Sequence, residues 1–263
     1  MCCFVARATF IKNKIMDLSI KPVKTKKDKV KQPKLAELGI IPKLGSSIIF
    51  CGSSGSGKST LLANLLLDDR FYGKNKSVKH IFLFSPSANV DDIQISLKLP
   101  EACIFTDLAT APSAIERIYK HQMQEIEEKG IDKAGQICII FDDCIGDAKF
   151  MKNPWVIKSF IASRHFACTT MLCAQHFHKV EKVNRLQASH LFFWPMSNSS
   201  LKVLSDEFCP AGMSTQAFER MVETNLNSDK YAFIGINMKA PQKERYRLGL
   251  GHILNLDYYK ASS

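Results

Sequence analysis

A glycine-rich segment between an apolar run and a leucine-rich run constrains this chain more than any other feature. The residues before it, Ser47 to Cys51, predict a buried strand, and those from Lys58 to Leu67 predict a helix. Glycines let the backbone curl so that its N–H groups point inward at phosphate oxygens, and the helix adds its positive amino-terminal end. The segment matches G-x-x-x-x-G-K-[ST] at every fixed position and reads Gly52-Ser53-Ser54-Gly55-Ser56-Gly57-Lys58-Ser59.

This phosphate-binding loop predicts ATP and Mg²⁺ as cofactors. In such loops the lysine, here Lys58, reaches the β- and γ-phosphates, and the hydroxyl that follows it, here Ser59, binds Mg²⁺. The predicted nucleotide-binding residues are Gly52, Ser53, Ser54, Gly55, Ser56, Gly57, Lys58, Ser59 and Thr60.

A second signal is an apolar run that ends in two carboxylates. Residues Ile137 to Phe141 predict a buried strand, and Asp142 and Asp143 follow it directly. Because ligands of α/β sheets bind outside the carboxyl ends of the strands, we expect this pair beside the phosphate loop. Alone it is often a solvated turn, but downstream of such a loop it indicates that Asp142 binds Mg²⁺ and that Asp143 polarises the attacking water.

Two polar residues flank the next predicted strand, Ala167 to Ala174. Gln175 ends it, where a side chain can sense the γ-phosphate, although a surface amide is the alternative. Arg164 precedes it, at the edge opposite the phosphate loop. It is expected to reach a neighbouring subunit's nucleotide as an arginine finger, or else to pair with a surface carboxylate.

The remaining pattern alternates strands with helices. Further strands are predicted at His80–Phe84, Cys103–Phe105 and His190–Trp194, and a terminal hairpin at Tyr231–Ile236 and Arg245–Leu250. Several strands are apolar throughout, which is typical of a parallel sheet covered on both faces. The fold class is therefore α/β, with a mostly parallel central sheet flanked by helices in one domain over residues 35–263. Helices are predicted at Pro112–Lys129, Trp155–Ser163, Ser197–Phe208 and Ser214–Thr224.

The positive charge is concentrated at the amino terminus. Of the formal net charge of +11, most comes from residues 1–34, which contain Arg7 and nine lysines against Asp17 and Asp28. This segment is predicted to be an extended or disordered tail, either simply solvated or able to hold a polyanion. No run of about 18 apolar residues occurs, so no membrane span is expected. Nine cysteines without a Cys-x-x-Cys pair favour a reducing intracellular compartment.

Together these residues resemble the genome-packaging ATPases of large eukaryotic DNA viruses and virophages, within the FtsK–HerA division of P-loop motors. The resemblance spans about residues 47–194. It implies a RecA-like fold, a homo-oligomeric ring, translocation of double-stranded DNA, and capsid or portal-vertex proteins as partners in the virion or the host cytoplasm. The residues that carry it are the loop, the pair Asp142 and Asp143, the run Ser163-Arg164-His165, Gln175 and Arg185.

Two alternatives stay open at this point. A nucleoside or nucleotide kinase would need an arginine-rich lid, but Arg164 is the only arginine between Asp143 and Gln175. A nucleotide-binding switch or virion scaffold would not need hydrolysis. If the protein moves DNA, we expect phosphate-backbone contacts from the lysine tail and from the loop after the predicted strand Ala167 to Ala174. The candidates in that loop are His176, His178, Lys179, Lys182 and Arg185.

Overall fold

A nine-stranded sheet organises the protein, which is described by a computed structural model over residues 31–73, 77–87 and 96–260. The sheet order is β3-β2-β4-β5-β1-β6-β7-β8-β9. The strands are β1 Ser47–Cys51, β2 Val78–Phe84, β3 Ile104–Phe105, β4 Gln136–Asp142, β5 Cys168–Ala174, β6 His190–Phe193, β7 Ile234–Asn237, β8 Tyr246–Leu248 and β9 His252–Ile253.

Helices lie between the strands. Short 3-10 turns at Glu101–Cys103, Cys144–Gly146, Ser163–Phe166 and Phe177–Lys179 adjoin strand ends. The α-helices are α1 Lys34–Glu37, α2 Lys58–Leu67, α3 Ala111–Lys129, α4 Ile131–Ala134, α5 Ala148–Met151, α6 Pro154–Ile161, α7 Lys182–Gln187, α8 Asn198–Phe208, α9 Thr215–Leu226, α10 Gln242–Arg245 and α11 Leu256–Lys260.

The six strands from β3 to β6 in the sheet order pair in parallel, whereas β7, β8 and β9 add to the β6 edge in antiparallel fashion. Side chains alternate across a strand, and both faces of β1 are covered: Ile49 and Cys51 belong to one apolar core, Ile48 and Phe50 to the other. This double burial explains why the strand reads as a continuous apolar run. The predicted α/β class with a mostly parallel sheet is confirmed.

Element boundaries differ from the sequence predictions in a few places. The short helix α1, which was not predicted from the sequence, precedes β1, and its Ala36 is fully buried in the core that includes Ile48 and Phe50. Strand β7 begins at Ile234 rather than Tyr231, which leaves Tyr231 outside the ladder. The expected hairpin forms between β7 and β8, with α10 in its connection.

The predicted basic tail lies almost entirely outside the described residues. Its last part is described: Gln32 exchanges two hydrogen bonds with the backbone of Leu44, at 2.7 and 3.3 Å, and Lys34 begins helix α1. The boundary at residue 34 and the character of residues 1–30 stay predictions. No described helix is both long enough and apolar enough to cross a bilayer.

Candidate nucleotide site

The phosphate loop is fixed where β1 ends. The Gly52 amide donates to the Ala174 carbonyl of β5 at 3.1 Å, and the Trp194 amide donates to the Cys51 carbonyl at 2.9 Å. Gly52 is packed so closely that an added Cβ would lie 2.6 Å from the Trp194 Cβ. Gly57 has a φ of 106°, a left-handed conformation that glycine adopts without a Cβ clash. The glycines at these two positions are therefore required by geometry.

Lys58 is folded into this loop. Its Nζ donates to the carbonyls of Gly52 at 2.8 Å and Ser53 at 2.7 Å, and the residue is only 9% exposed. The Oγ of Ser56 is buried and lacks a hydrogen-bond partner among the described residues. A buried hydroxyl of this kind normally finds a partner, so an acceptor or donor from a ligand fits the loop.

Beneath the loop, burial raises the pKa of the Cys51 thiol to about 12, although the nearby Lys58 ammonium acts in the opposite direction. The thiol stays neutral at physiological pH and acts as a small apolar side chain. The seven cysteines in the described part of the chain are free thiols.

The acidic pair lies two strands away from the loop strand, because β5 is inserted between β4 and β1. Asp142 is in register with Cys173 on β5, so Gln175 lies two residues farther along the neighbouring strand. Asp143 has a φ of 51° and is exposed. This left-handed conformation is one that Asp tolerates better than most residues, and it sharply turns the chain after β4.

One cavity of about 980 Å³ brings these groups together. The predicted residues Asp142, Asp143 and Gln175 line it together with Lys58 and Ser59. Gly52 and Ser53 lie at the base of the loop, where their carbonyls accept from Lys58. The remaining loop residues that line the cavity are Ser54, Gly55, Ser56, Gly57 and Thr60.

The residues present fit Mg²⁺ bound through a nucleotide rather than a metal held by protein alone. Ser59 and Asp142 offer two oxygen ligands to this cavity. No cluster of three or more His, Cys, Asp or Glu that could hold a metal occurs in residues 31–73, 77–87 and 96–260. Mg²⁺ typically keeps several waters and takes one or two protein ligands plus phosphate oxygens, which matches this set.

Arg164 does not line this cavity. It lies in the turn before β5, whereas Gln175 follows the same strand, so the two are on the order of 20 Å apart at a strand rise of about 3.3 Å per residue. At that opposite edge Arg164 borders a second cavity of about 530 Å³, and its Cα lies 3.5 Å from where a Cβ on Gly45 would be. The structure therefore agrees with the prediction that Arg164 lies away from its own phosphate loop.

One expected DNA contact is wrong. Arg185 is 7% exposed, its Nε and Nη2 bind the Glu207 carboxylate at 2.8 and 2.6 Å, and its Nη1 donates to the Val180 carbonyl. Its guanidinium also lies 5.5 Å from the centroid of the Phe177 ring. These contacts use the side chain internally, so it cannot present its charge to a polyanion.

The other candidates in that loop remain accessible. Lys179, Lys182 and His176 are exposed, and His178 is half-buried with its Nδ1 at 3.1 Å from the Ser200 Oγ. Partial desolvation, assisted by His176 and neighbouring cations, lowers the pKa of His178 from its usual value. Lys179 and Lys182 are therefore the exposed lysines that this segment offers to a polyanion.

Sequence reasoning missed one wall of the cavity. The side opposite the acidic pair is aromatic and apolar, and it comes from the ends of β6 and β7 and from the turn after β8. The pattern of the chain offered only one signal, namely aromatic residues next to strand ends. The residues of this wall are Trp194, Tyr231, Phe233, Gly249 and Leu250.

Known structures share this architecture. The chain superposes on B204, the DNA-packaging ATPase from Sulfolobus Turreted Icosahedral Virus, with a TM-score of 0.56 and 15% identity over 78% of this chain and 97% of that one. It also superposes on the genome packaging NTPase B204 from Sulfolobus turreted icosahedral virus 2 in complex with ATP-gammaS, with a TM-score of 0.53 and 16% identity over 80% and 98% of the two chains. At these identities the likeness establishes the fold. No curated protein sequence matches the chain.

A family model gives the more specific assignment. The model described as Poxvirus A32 protein matches residues 43–234, which include the phosphate loop, the acidic pair, Gln175 and part of the aromatic wall. The match covers well over half of the chain, and it agrees with the viral packaging resemblance that the motifs predict. The chain belongs to the Poxvirus A32 protein family.

Proposed function

We propose that this protein is an ATP-hydrolysing motor that translocates double-stranded DNA into a viral capsid. The observation that carries the proposal is the single cavity in which Lys58, Ser59, Asp142, Asp143 and Gln175 meet. Membership in the Poxvirus A32 protein family and the fold shared with the DNA-packaging ATPase B204 support the viral packaging role.

Each residue of the cavity has a separate role in the proposed hydrolysis. Lys58 exchanges the carbonyls of Gly52 and Ser53 for phosphate oxygens when the triphosphate enters. Ser59 and Asp142 hold Mg²⁺, which neutralises charge on the phosphates. Asp143 orients and polarises the attacking water, and Gln175 contacts the γ-phosphate from the adjacent strand.

The motor is proposed to be a homo-oligomeric ring in which Arg164 serves the nucleotide of a neighbouring subunit. Support comes from its position at the edge of the sheet that its own nucleotide cannot reach. The guanidinium would stabilise charge on the transferring phosphoryl group. A mixture of Lys58→Ala and Arg164→Ala proteins tests this. In a mixed ring, some Arg164→Ala subunits, whose phosphate loop is intact, lie beside Lys58→Ala subunits, whose Arg164 is intact, and these sites are complete. Activity of the mixture above that of either variant is expected, and no gain would contradict action between subunits.

DNA is proposed to contact the loop after β5 through its phosphates, without base reading. Lys179 and Lys182 are the exposed cations there, and the basic residues 1–34 are a further candidate. Capsid or portal-vertex proteins are the proposed docking partners, in the virion or the host cytoplasm.

The decisive experiment is ATP hydrolysis with and without double-stranded DNA. We expect stimulation by DNA in the wild type, and a loss of at least about 100-fold in kcat for both Lys58→Ala and Asp143→Asn, as for removal of a transition-state contact. Lys179→Ala/Lys182→Ala should lower the ratio of rates with and without DNA. A rate of ATP hydrolysis that does not change when DNA is added would refute the proposed DNA motor.

The same assay separates the alternatives. A kinase would transfer the phosphate to a nucleoside acceptor, yet Arg70 is the sole arginine among the described residues of the cavity, and it is bound to Asp68 at 2.6 Å. A switch or scaffold would bind ATP without turnover, and its assembly role would survive Lys58→Ala.

A further inference from the structure

The aromatic side of the cavity lies where the nucleoside end of a bound nucleotide must go. Strand β1 carries the phosphate loop; β5 and β4, with Gln175 and Asp142, lie on one side of it, and β6 and β7 lie on the other. A triphosphate whose γ-phosphate faces the acidic pair therefore extends across the loop toward β6 and β7.

The wall at that end is a packed aromatic unit. Trp194, at 1% exposure, packs on Phe233 with ring centroids 5.0 Å apart, and Phe233 also meets Phe192 at 5.8 Å. The Gly249 amide donates to the Phe233 carbonyl at 2.7 Å, which ties the turn after β8 to the same unit. The wall is therefore preformed by buried contacts.

Tyr231 is the member of the wall that remains accessible. It is 54% exposed, and its Cδ1 lies 3.7 Å from where a Cβ on Gly57 would be, next to the amino terminus of α2. The Tyr231 amide donates to the Asp229 carboxylate at 2.9 Å, and the Lys230 Nζ lies 5.0 Å from the ring centroid. The backbone of Tyr231 is thus fixed at the mouth of the loop, one face of the ring carries the Lys230 ammonium, and more than half of the residue remains exposed.

The wall offers π surface and few groups that could read a base. Its side chains carry only the Trp194 indole N–H and the Tyr231 hydroxyl as polar groups. Two further polar side chains line the cavity: the Asn64 side-chain amide donates to the Thr60 carbonyl at 2.7 Å, and Arg70 is bound to Asp68. The Asn64 side-chain nitrogen and the Arg70 guanidinium therefore already have partners within the chain.

From this geometry we propose that Tyr231, backed by Trp194 and Phe233, forms a stacking site for the nucleobase that accepts purines without distinguishing adenine from guanine. This inference rests on the proposed nucleotide site and deepens it. Base–aromatic stacking tolerates any base because each has a π face, and it contributes about 1–3 kcal/mol per base. At about 1.4 kcal/mol per factor of ten, loss of the ring weakens binding roughly tenfold.

The test is calorimetric binding of ADP, GDP and inorganic tripolyphosphate to the full chain. Tyr231→Ala should weaken the affinity for ADP and for GDP about tenfold each. Its affinity for tripolyphosphate should change less than about twofold, because tripolyphosphate has no base. Tyr231→Phe keeps the ring and should bind all three like the wild type. In steady-state hydrolysis, Tyr231→Ala should raise KM far more than it changes kcat.

Three results would overturn the inference. ADP binding by Tyr231→Ala within twofold of the wild type would show that the ring does not contact the base. An equal loss for tripolyphosphate would show that the substitution damages the phosphate loop instead. If the wild type binds ADP more than tenfold more tightly than GDP, the site distinguishes the two bases by hydrogen bonds. These readouts need neither turnover nor DNA, so failure of the motor proposal is recognised separately.

Discussion

Replacing Arg185 by alanine should destabilise the whole domain rather than weaken DNA binding selectively. The Arg185 and Glu207 side chains are only 9% and 13% exposed, and the guanidinium makes two hydrogen bonds to the carboxylate and one to the Val180 carbonyl. Removing one partner of such a buried pair leaves the other charge uncompensated, which costs about 3–5 kcal/mol. For a chain of this size, that corresponds to a fall in Tm of roughly 6–20 °C.

The assay is urea unfolding followed by circular dichroism, with DNA-stimulated hydrolysis measured on the same preparations. The matched control is Lys179→Ala/Lys182→Ala, which removes exposed cations of the same loop and should stay within about 0.5 kcal/mol of the wild type in unfolding free energy. Arg185→Met/Glu207→Leu removes both charges and should recover much of the loss, because no buried charge is left unpaired. A free energy of unfolding for Arg185→Ala within about 0.5 kcal/mol of the wild type, with DNA stimulation lost, would refute the reasoning.

Gly52→Ala should raise KM for ATP severalfold and lower Tm, because the new Cβ would lie 2.6 Å from Trp194, whereas Gly146→Ala, with nothing within 4 Å, should leave both unchanged. Asp143→Gly should abolish hydrolysis without lowering the unfolding free energy, since Asp143 sits at a positive φ that glycine favours; a marked loss of stability would contradict this. Burial lowers the pKa of His190 to about 3, so the unfolded chain binds an extra proton below pH 6.5 and stability falls as the pH drops. Urea unfolding should show about 2 kcal/mol of this loss between pH 7 and pH 5, and His190→Gln, which cannot take up that proton, should remove it.

Local chemistry allowed the sequence to predict the loop and the strands around it. The spacing of glycines before Lys58 admits few backbone conformations, and helix α2 begins and ends at the predicted residues. The continuous apolar runs of β1, β4 and β5 predicted strands buried on both faces, which is how they occur. That Asp142 and Gln175 approach the same loop followed from one rule, that the carboxyl ends of parallel strands share an edge.

The tertiary structure alone decided how distant segments use their side chains. Arg185 looked like a surface cation, and only the folded chain brings Glu207 of α8 to it as a buried partner. The aromatic wall is likewise assembled only by the fold, because Trp194 and Tyr231 meet Gly57 only after β6 has paired with β1 and β7 with β6. The sequence determined the phosphate chemistry because short-range backbone geometry encodes it. Long-range packing decides which side chains line the cavity and which are buried with partners in the core. No local pattern in the sequence specifies that packing.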